Sequence, residues 1–205
     1  LGWGHGDAEI ISREQAIEWF SLEKIGKAAS RFDMAKLTAL NAHYIKEKPA
    51  QELYALLEPF LVDKYHGLSG EQEHWLRQGL PALQERAKTM LELADMAGIY
   101  AGMPPFTLTE KGKTAWTTEV KNLLRTIENA LLSVPVWDKE SLENTLKTLA
   151  ETHAIKLGAV MMPLRLALTG DTASPSVFEI MAILGKAETL FRVELLLNDK
   201  NAAVQ

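Results

Sequence analysis

Apolar residues recur every third or fourth position along almost all of this 205-residue chain, and the alternating pattern of a strand is nearly absent. That period dictates helices, because a 3.6-residue repeat lays such residues along one stripe that must be buried. Start signals mark where the helices begin. Ser12-Arg13-Glu14-Gln15 and Ser69-Gly70-Glu71-Gln72 are capping boxes, in which the hydroxyl accepts from a free first-turn N–H and the Gln returns a bond. Asp33 suits the cap of a helix with Met34, Leu37, Leu40 and Tyr44 on one face. Pro49 suits the first turn of another, ahead of Leu53, Leu56, Leu57, Phe60 and Leu61. Leu80-Pro81 predicts an interruption, since proline lacks the N–H and crowds the preceding turn. A long helix is expected beyond it, with Leu83, Ala87, Met90, Leu91 and Ala94 inward, until the GMPPF loop at 102–106. Further helices are expected over 111–132, 139–153, 157–168, 176–184 and 187–197. The expected fold is all-α, two packed helical bundles meeting near that loop.

Composition narrows the functions. At 47% hydrophobic and 24% charged the chain can bury a core and is not a disordered tract. With 22 Lys+Arg against 27 Asp+Glu the net charge is −5, so its whole surface does not cling to nucleic acid, although a local site is allowed. There is no cysteine, which excludes thiol catalysis, disulfides and cysteine-held metal and suits a reducing cytosol. No apolar run is long enough for a bilayer, and the opening LGWGHGD has neither an initiator methionine nor a signal-peptide layout. His5, His43, His66, His74 and His153 show no metal-ligand spacing. GWGHG, at 2–6, lacks the strand–helix context of a phosphate loop, and no nucleophile elbow occurs. A complete active site within these residues is not expected, nor is a bound metal.

Two stretches carry a resemblance. The first, 2–46, has Gly2-Trp3 with His5-Gly6-Asp7, then Ser30-Arg31-Phe32-Asp33, then Leu40-Asn41 with Tyr44-Ile45. The second, 156–186, has Lys156-Leu157-Gly158, Pro163 with Arg165, Ala167-Leu168-Thr169-Gly170, Ser174-Pro175 and Leu184-Gly185-Lys186. In this order they resemble the part of bacterial glutamyl-tRNA synthetases, class I enzymes, that follows the catalytic domain. Gly4 and Ala28-Ala29 depart from that pattern, which often has Ser and a Ser-Pro pair there. The family's HIGH-type and KMSKS-type ATP-binding motifs are absent. The resemblance implies a C-terminal fragment: residues 1–105 as connecting region and first helical anticodon-binding subdomain, and 106–205 as the C-terminal one. The parent would activate glutamate with ATP and magnesium in the cytoplasm. The fragment itself would need no cofactor and would hold, as a monomer, glutamate tRNA, with glutamine tRNA left open and neither DNA nor membrane as partner.

Reading an anticodon needs splayed bases, surfaces to stack on, and fixed donors and acceptors. The segment 161–186 supplies candidates. Ser174 as N-cap and Pro175 in the first turn would fix a loop beside free N–H groups, Thr169 and Thr172 add hydroxyls, and Arg165 adds a forked donor. Val177 is the apolar residue nearest that loop. By resemblance, Arg86 discriminates the last anticodon base, cytosine in glutamate tRNAs and guanine in glutamine tRNAs. The expected tRNA-binding residues are therefore Arg86, Arg165, Thr169, Ser174, Pro175 and Val177, with Trp75, Trp116 and Trp137 as packing anchors. Two rival readings stand beside this one: a helical adaptor presenting an apolar groove to a partner helix, and a small enzyme with an unrecognised site. An adaptor has no reason to gather Arg86, Arg165 and the 169–177 loop on one surface. Incubated with glutamate, ATP and tRNA, this chain should yield no glutamyl-tRNA in an acid-precipitation assay; charging by material free of host synthetase would contradict the fragment reading.

Overall fold

The computed structural model describes residues 3–26, 32–104 and 106–199. Gly2, Ala28-Ala29, Ser30-Arg31 and Pro105 lie outside the described residues. Among the described residues eleven α-helices follow in order: α1 (Arg13–Trp19), α2 (Met34–Glu47), α3 (Ala50–Tyr65), α4 (Gly70–Gln84), α5 (Met90–Met96), α6 (Gly98–Ala101), α7 (Glu110–Ala115), α8 (Thr118–Leu132), α9 (Lys139–Thr152), α10 (Leu157–Thr169) and α11 (Val177–Asn198). Among the described residues there is no strand, only an isolated bridge between His5 and Ala8. The all-α expectation holds.

Both capping boxes form. Gln15 N donates to Ser12 Oγ at 3.1 Å and Ser12 N to Gln15 Oε1 at 2.8 Å. Ser69 and Gln72 repeat the exchange at 3.2 and 2.9 Å. Asp33 caps α2 by accepting from Lys36 N at 3.0 Å. Each cap satisfies first-turn donors that have no partner within the helix.

Three boundaries differ from the expected ones. Pro81 does not interrupt: it lies inside α4, whose Leu80 and Leu83 are 1% and 0% exposed. Burial of two leucines, about 1.5–3 kcal/mol each, outweighs the bond that one proline forfeits near a helix end. The chain breaks instead at 85–89, where Thr89 caps α5 through Glu92 N at 3.1 Å. The segment 111–132 is likewise two helices, because Thr117 adopts extended backbone to cap α8 and Trp116 is buried at the corner. By contrast, Gly185 with φ 77° divides α11 where Leu-Gly-Lys marks a stop.

α2 through α6 and α7 through α11 form two helical groups around one apolar core, continuous from Ile45 to Leu197. α8 contributes Leu124, Ile127 and Leu131, and α9 contributes Leu142, Leu146 and Leu149. Trp116 is fully buried, and Trp137 donates from Nε1 to Met181 O at 2.8 Å. The apolar face expected on α2 is not covered in the same way: Met34, Leu37 and Tyr44 are exposed, and only Ile45 is buried.

Arg192, 1% exposed, ties the groups together. Its Nη1 donates to Ile99 O in α6 at 2.7 Å and to Leu168 O near the end of α10 at 3.4 Å, while Nε donates to Glu188 at 2.6 Å. Both carbonyls belong to helix ends, where acceptors lack helical partners and a cation is favoured. The guanidinium also lies 5.0 Å from the Phe106 ring centroid. Arg192→Met would strip these carbonyls of their donor and leave the mostly buried Glu188 unpaired. It should cost about 3–5 kcal/mol, read as a lower urea midpoint, with Glu188→Gln milder; an unmoved midpoint in Arg192→Met would show that the core closes without the guanidinium.

Candidate tRNA-binding cleft

An open cavity of about 650 Å3 lies where the two helical groups meet. Its walls include Arg86 on one side, Thr169, Asp171, Ser174 and Pro175 on another, and Ile99 and Phe106 between them. Sequence separations approaching ninety residues close here around one space.

Arg86 stands in the turn between α4 and α5, not on a helix as its sequence context suggests. The turn is fastened on both sides. Before it, the buried Gln84 donates from Nε2 to three carbonyls at the end of α2, Ile45, Lys46 and Lys48, at 2.7, 2.9 and 2.7 Å. After it, Ala87 is buried, Asn41 Nδ2 donates to Lys88 O at 2.6 Å, and Lys88 N donates to Glu92 at 2.8 Å. Between these anchors the Arg86 side chain is exposed. Adjacent Glu85 is engaged by Lys46 at 3.5 Å, so it does not neutralise Arg86.

The opposite wall is the connection from α10 to α11. Gly170 ends α10 with φ 72°, a conformation costly for a side chain, and a Cβ there would meet Thr107 O at 2.7 Å. Thr109 N donates to Gly170 O at 2.9 Å, pinning the turn from below. Thr169 turns back on its helix, its hydroxyl donating to Arg165 O at 2.8 Å. Ser174 is not the N-cap of α11, as its place before proline suggests. Ser176 takes that position and no side chain caps the helix. Ser174 Oγ instead accepts from Arg165 Nε at 2.9 Å and donates to Pro175 O at 2.8 Å. The proline fixes the backbone, and the serine fixes the arginine.

Arg165 is half-buried. Burial lowers its guanidinium below the ordinary value, and the charge of Arg86 lowers it further. Among the described residues neither arginine forms an ion pair. Two like charges thus meet at one cleft and neither is neutralised by an ion pair, an arrangement suited to a ligand that brings negative charge or acceptor atoms.

Of the residues expected from sequence, Arg86, Thr169, Ser174 and Pro175 line the cleft, and Arg165 reaches it through Ser174. Val177 requires correction. It is 2% exposed and packs in the core, because α11 begins at that residue and turns its first apolar side chain inward. Asp171 and Phe106 belong to the cleft but were not among the expected contacts. Thr172 N donates to Asp171 Oδ1 at 2.6 Å, a contact that the Thr-Gly-Asp-Thr run does not announce. Among the described residues no group of three or more His, Asp or Glu could hold a metal.

Comparison with known proteins follows the same elements. The family model described as anticodon binding domain matches residues 52–197. The chain is 46% identical over 194 residues to Glutamate--tRNA ligase 2 of Rhodospirillum rubrum, covering 94% of this chain and 42% of that relative. It is 44% identical to the protein of the same name from Zymomonas mobilis, covering 95% of this chain and 40% of that one. A glutamate tRNA ligase from Elizabethkingia meningosepticum, solved in complex with its amino acid, superposes with a TM-score of 0.80 at 28% identity, over 96% of this chain and 39% of that one. The chain therefore spans less than half the length of the curated relatives it matches. Because the matched segment carries the helices α4, α10 and α11 and both walls of the cleft, the chain belongs to the anticodon binding domain family.

Proposed function

We propose that this chain is the part of a glutamate–tRNA ligase that holds the anticodon arm of glutamate tRNA, with the cleft between its two helical groups receiving the anticodon bases. The observation that carries this reading is the cleft lined by Arg86, Thr169, Ser174 and Pro175 and backed by Arg165 through Ser174, with neither arginine ion-paired among the described residues. Arg86 presents donors only, so it suits the acceptors of cytosine's Watson–Crick edge and is mismatched to the donors of guanine. Discrimination between glutamate and glutamine tRNA at the last anticodon base follows from that. Arg165, held by Ser174, suits a neighbouring base or phosphate oxygen.

In the whole ligase, activation of glutamate with ATP and magnesium would fall to residues outside this chain, in the cytoplasm where charged tRNA is consumed. Among the described residues no helix is long and apolar enough to cross a membrane. An adaptor would need an apolar groove here, and a cleft holding two unpaired arginines is poor ground for a partner's apolar helix face.

Filter binding with glutamate tRNA and an unrelated tRNA tests the reading. Glutamate tRNA should bind more tightly, with a log–log salt slope of about −0.7 per phosphate contacted on single-stranded RNA. Arg86→Gln should cost about 1–3 kcal/mol with the cytosine-ending anticodon and relax rejection of guanine, measured at one salt concentration. Binding indifferent to salt, or an unchanged preference in Arg86→Gln, would contradict it.

A further inference from the structure

We infer that Asp171 is a specificity-determining residue of the cleft: its free carboxylate oxygen accepts the exocyclic amino hydrogens of a cytosine whose O2 and N3 meet Arg86. The inference rests on the reading of the cleft as an anticodon site and adds to it the acceptor that an arginine cannot supply.

Among the described residues, every hydrogen bond that the Asp171 side chain accepts falls on one oxygen. Thr109 Oγ1 donates to Oδ1 at 3.1 Å, Thr172 N at 2.6 Å and Thr172 Oγ1 at 3.4 Å. Three donors saturate Oδ1 and fix the plane of the carboxylate, which leaves Oδ2 for a ligand. The donors are themselves held. Thr109 accepts from Gly112 N at 3.1 Å while its own N–H pins Gly170, so the carboxylate stands on a rigid turn. Asp171 lines the same cavity as Arg86, yet it forms no ion pair with Arg86 or Arg165.

The other polar groups of the cleft are committed elsewhere. Asp95 is charge-paired with Lys64, whereas Asp171 has no cation partner among the described residues; Ser174 Oγ is engaged by Arg165 and Pro175 O, and the Thr169 hydroxyl by Arg165 O. A carboxylate at this wall repels phosphate, so what approaches it must present N–H groups. Cytosine offers two acceptors, O2 and N3, and then an amino donor along one edge; the donor fork of Arg86 and an acceptor lining the same cavity complement that order. Uracil puts an oxygen where the amine would be. Guanine offers two donors where Arg86 needs acceptors.

The test uses this chain and synthetic anticodon stem–loops whose last anticodon base is cytosine or pyrimidin-2-one, which keeps both acceptors and lacks the amine. Wild type should bind the cytosine loop about tenfold or more tightly, the scale of a hydrogen bond to a charged group. Asp171→Asn keeps an oxygen toward Thr109 and Thr172 but replaces Oδ2 with an amide donor, and should bring the ratio to about one. A variant that retains the wild-type ratio overturns the inference. If Asp171→Asn does not fold by circular dichroism, the wild-type pair decides alone: equal binding of the two loops overturns Asp171's role while leaving the anticodon reading standing. Failure of wild type to bind either loop at low salt would instead bring down that reading, and the inference with it.

Discussion

The fold depends on a charge taken out of water. Arg192 lies on α11 but spends its donors on α6 and α10, and its plane lies near Phe106. Desolvation pushes its guanidinium down from the ordinary value, while the hydrogen bond and charge of Glu188 push back. Two of its contacts, Ile99 and Phe106, are also walls of the cleft. The ion therefore sits behind the site and ties α6 to α10 there. An apolar residue of the same length would fill the volume but leave helix-end carbonyls without donors, which is why a cation occupies this junction.

Local signals were readable because local physics fixes them. The capping boxes at Ser12 and Ser69, the Asp33 cap and the Gly185 stop each depend on groups within four residues, and each forms. The Thr89-x-x-Glu92 pattern was equally local and marks the true start of α5, but the proline at 81 obscured it. Pro81 misleads because its penalty is intrinsic while the gain that overrides it, burial of Leu80 and Leu83, comes from helices distant in sequence. Val177 misleads for a related reason: nearness to the loop in sequence does not say which side of a first turn faces the core. Nothing in the neighbourhood of Gln84 announces that it closes the end of α2, a bond spanning 39 residues.

The resemblance supplied residues whose physical work only the fold explains. Asn41 and Ile45 of the Leu-Asn-x-x-Tyr-Ile run hold the Arg86 turn, one through Lys88 O and the other as an acceptor for Gln84. Thr169-Gly170 reverses the chain under Thr109. Lys186 of the Leu-Gly-Lys run donates to Leu132 O and Val134 O at 2.8 and 2.9 Å, closing the end of α8. These are supports around a cleft rather than contacts within it.

This division of labour changes how charge in the chain must be counted. Between 156 and 192, Lys156, Arg165, Lys186 and Arg192 outnumber Asp171, Glu179 and Glu188, which reads as a weakly basic surface. In the fold, Lys186 and Arg192 are consumed by carbonyls and Glu188, and Glu179 is consumed by Lys139 at 2.8 Å. What the segment leaves at the cleft is Arg165, through Ser174, and Asp171 on the same wall, with Arg86 added from a turn far away in sequence. Attraction for a polyanion is thus concentrated on two guanidiniums whose mutual repulsion the free protein must bear, and the adjacent carboxylate keeps phosphate off one wall. If the proposed reading holds, a net-acidic protein would hold RNA on those terms by selecting base edges as well as charge, which is what an anticodon reader has to achieve.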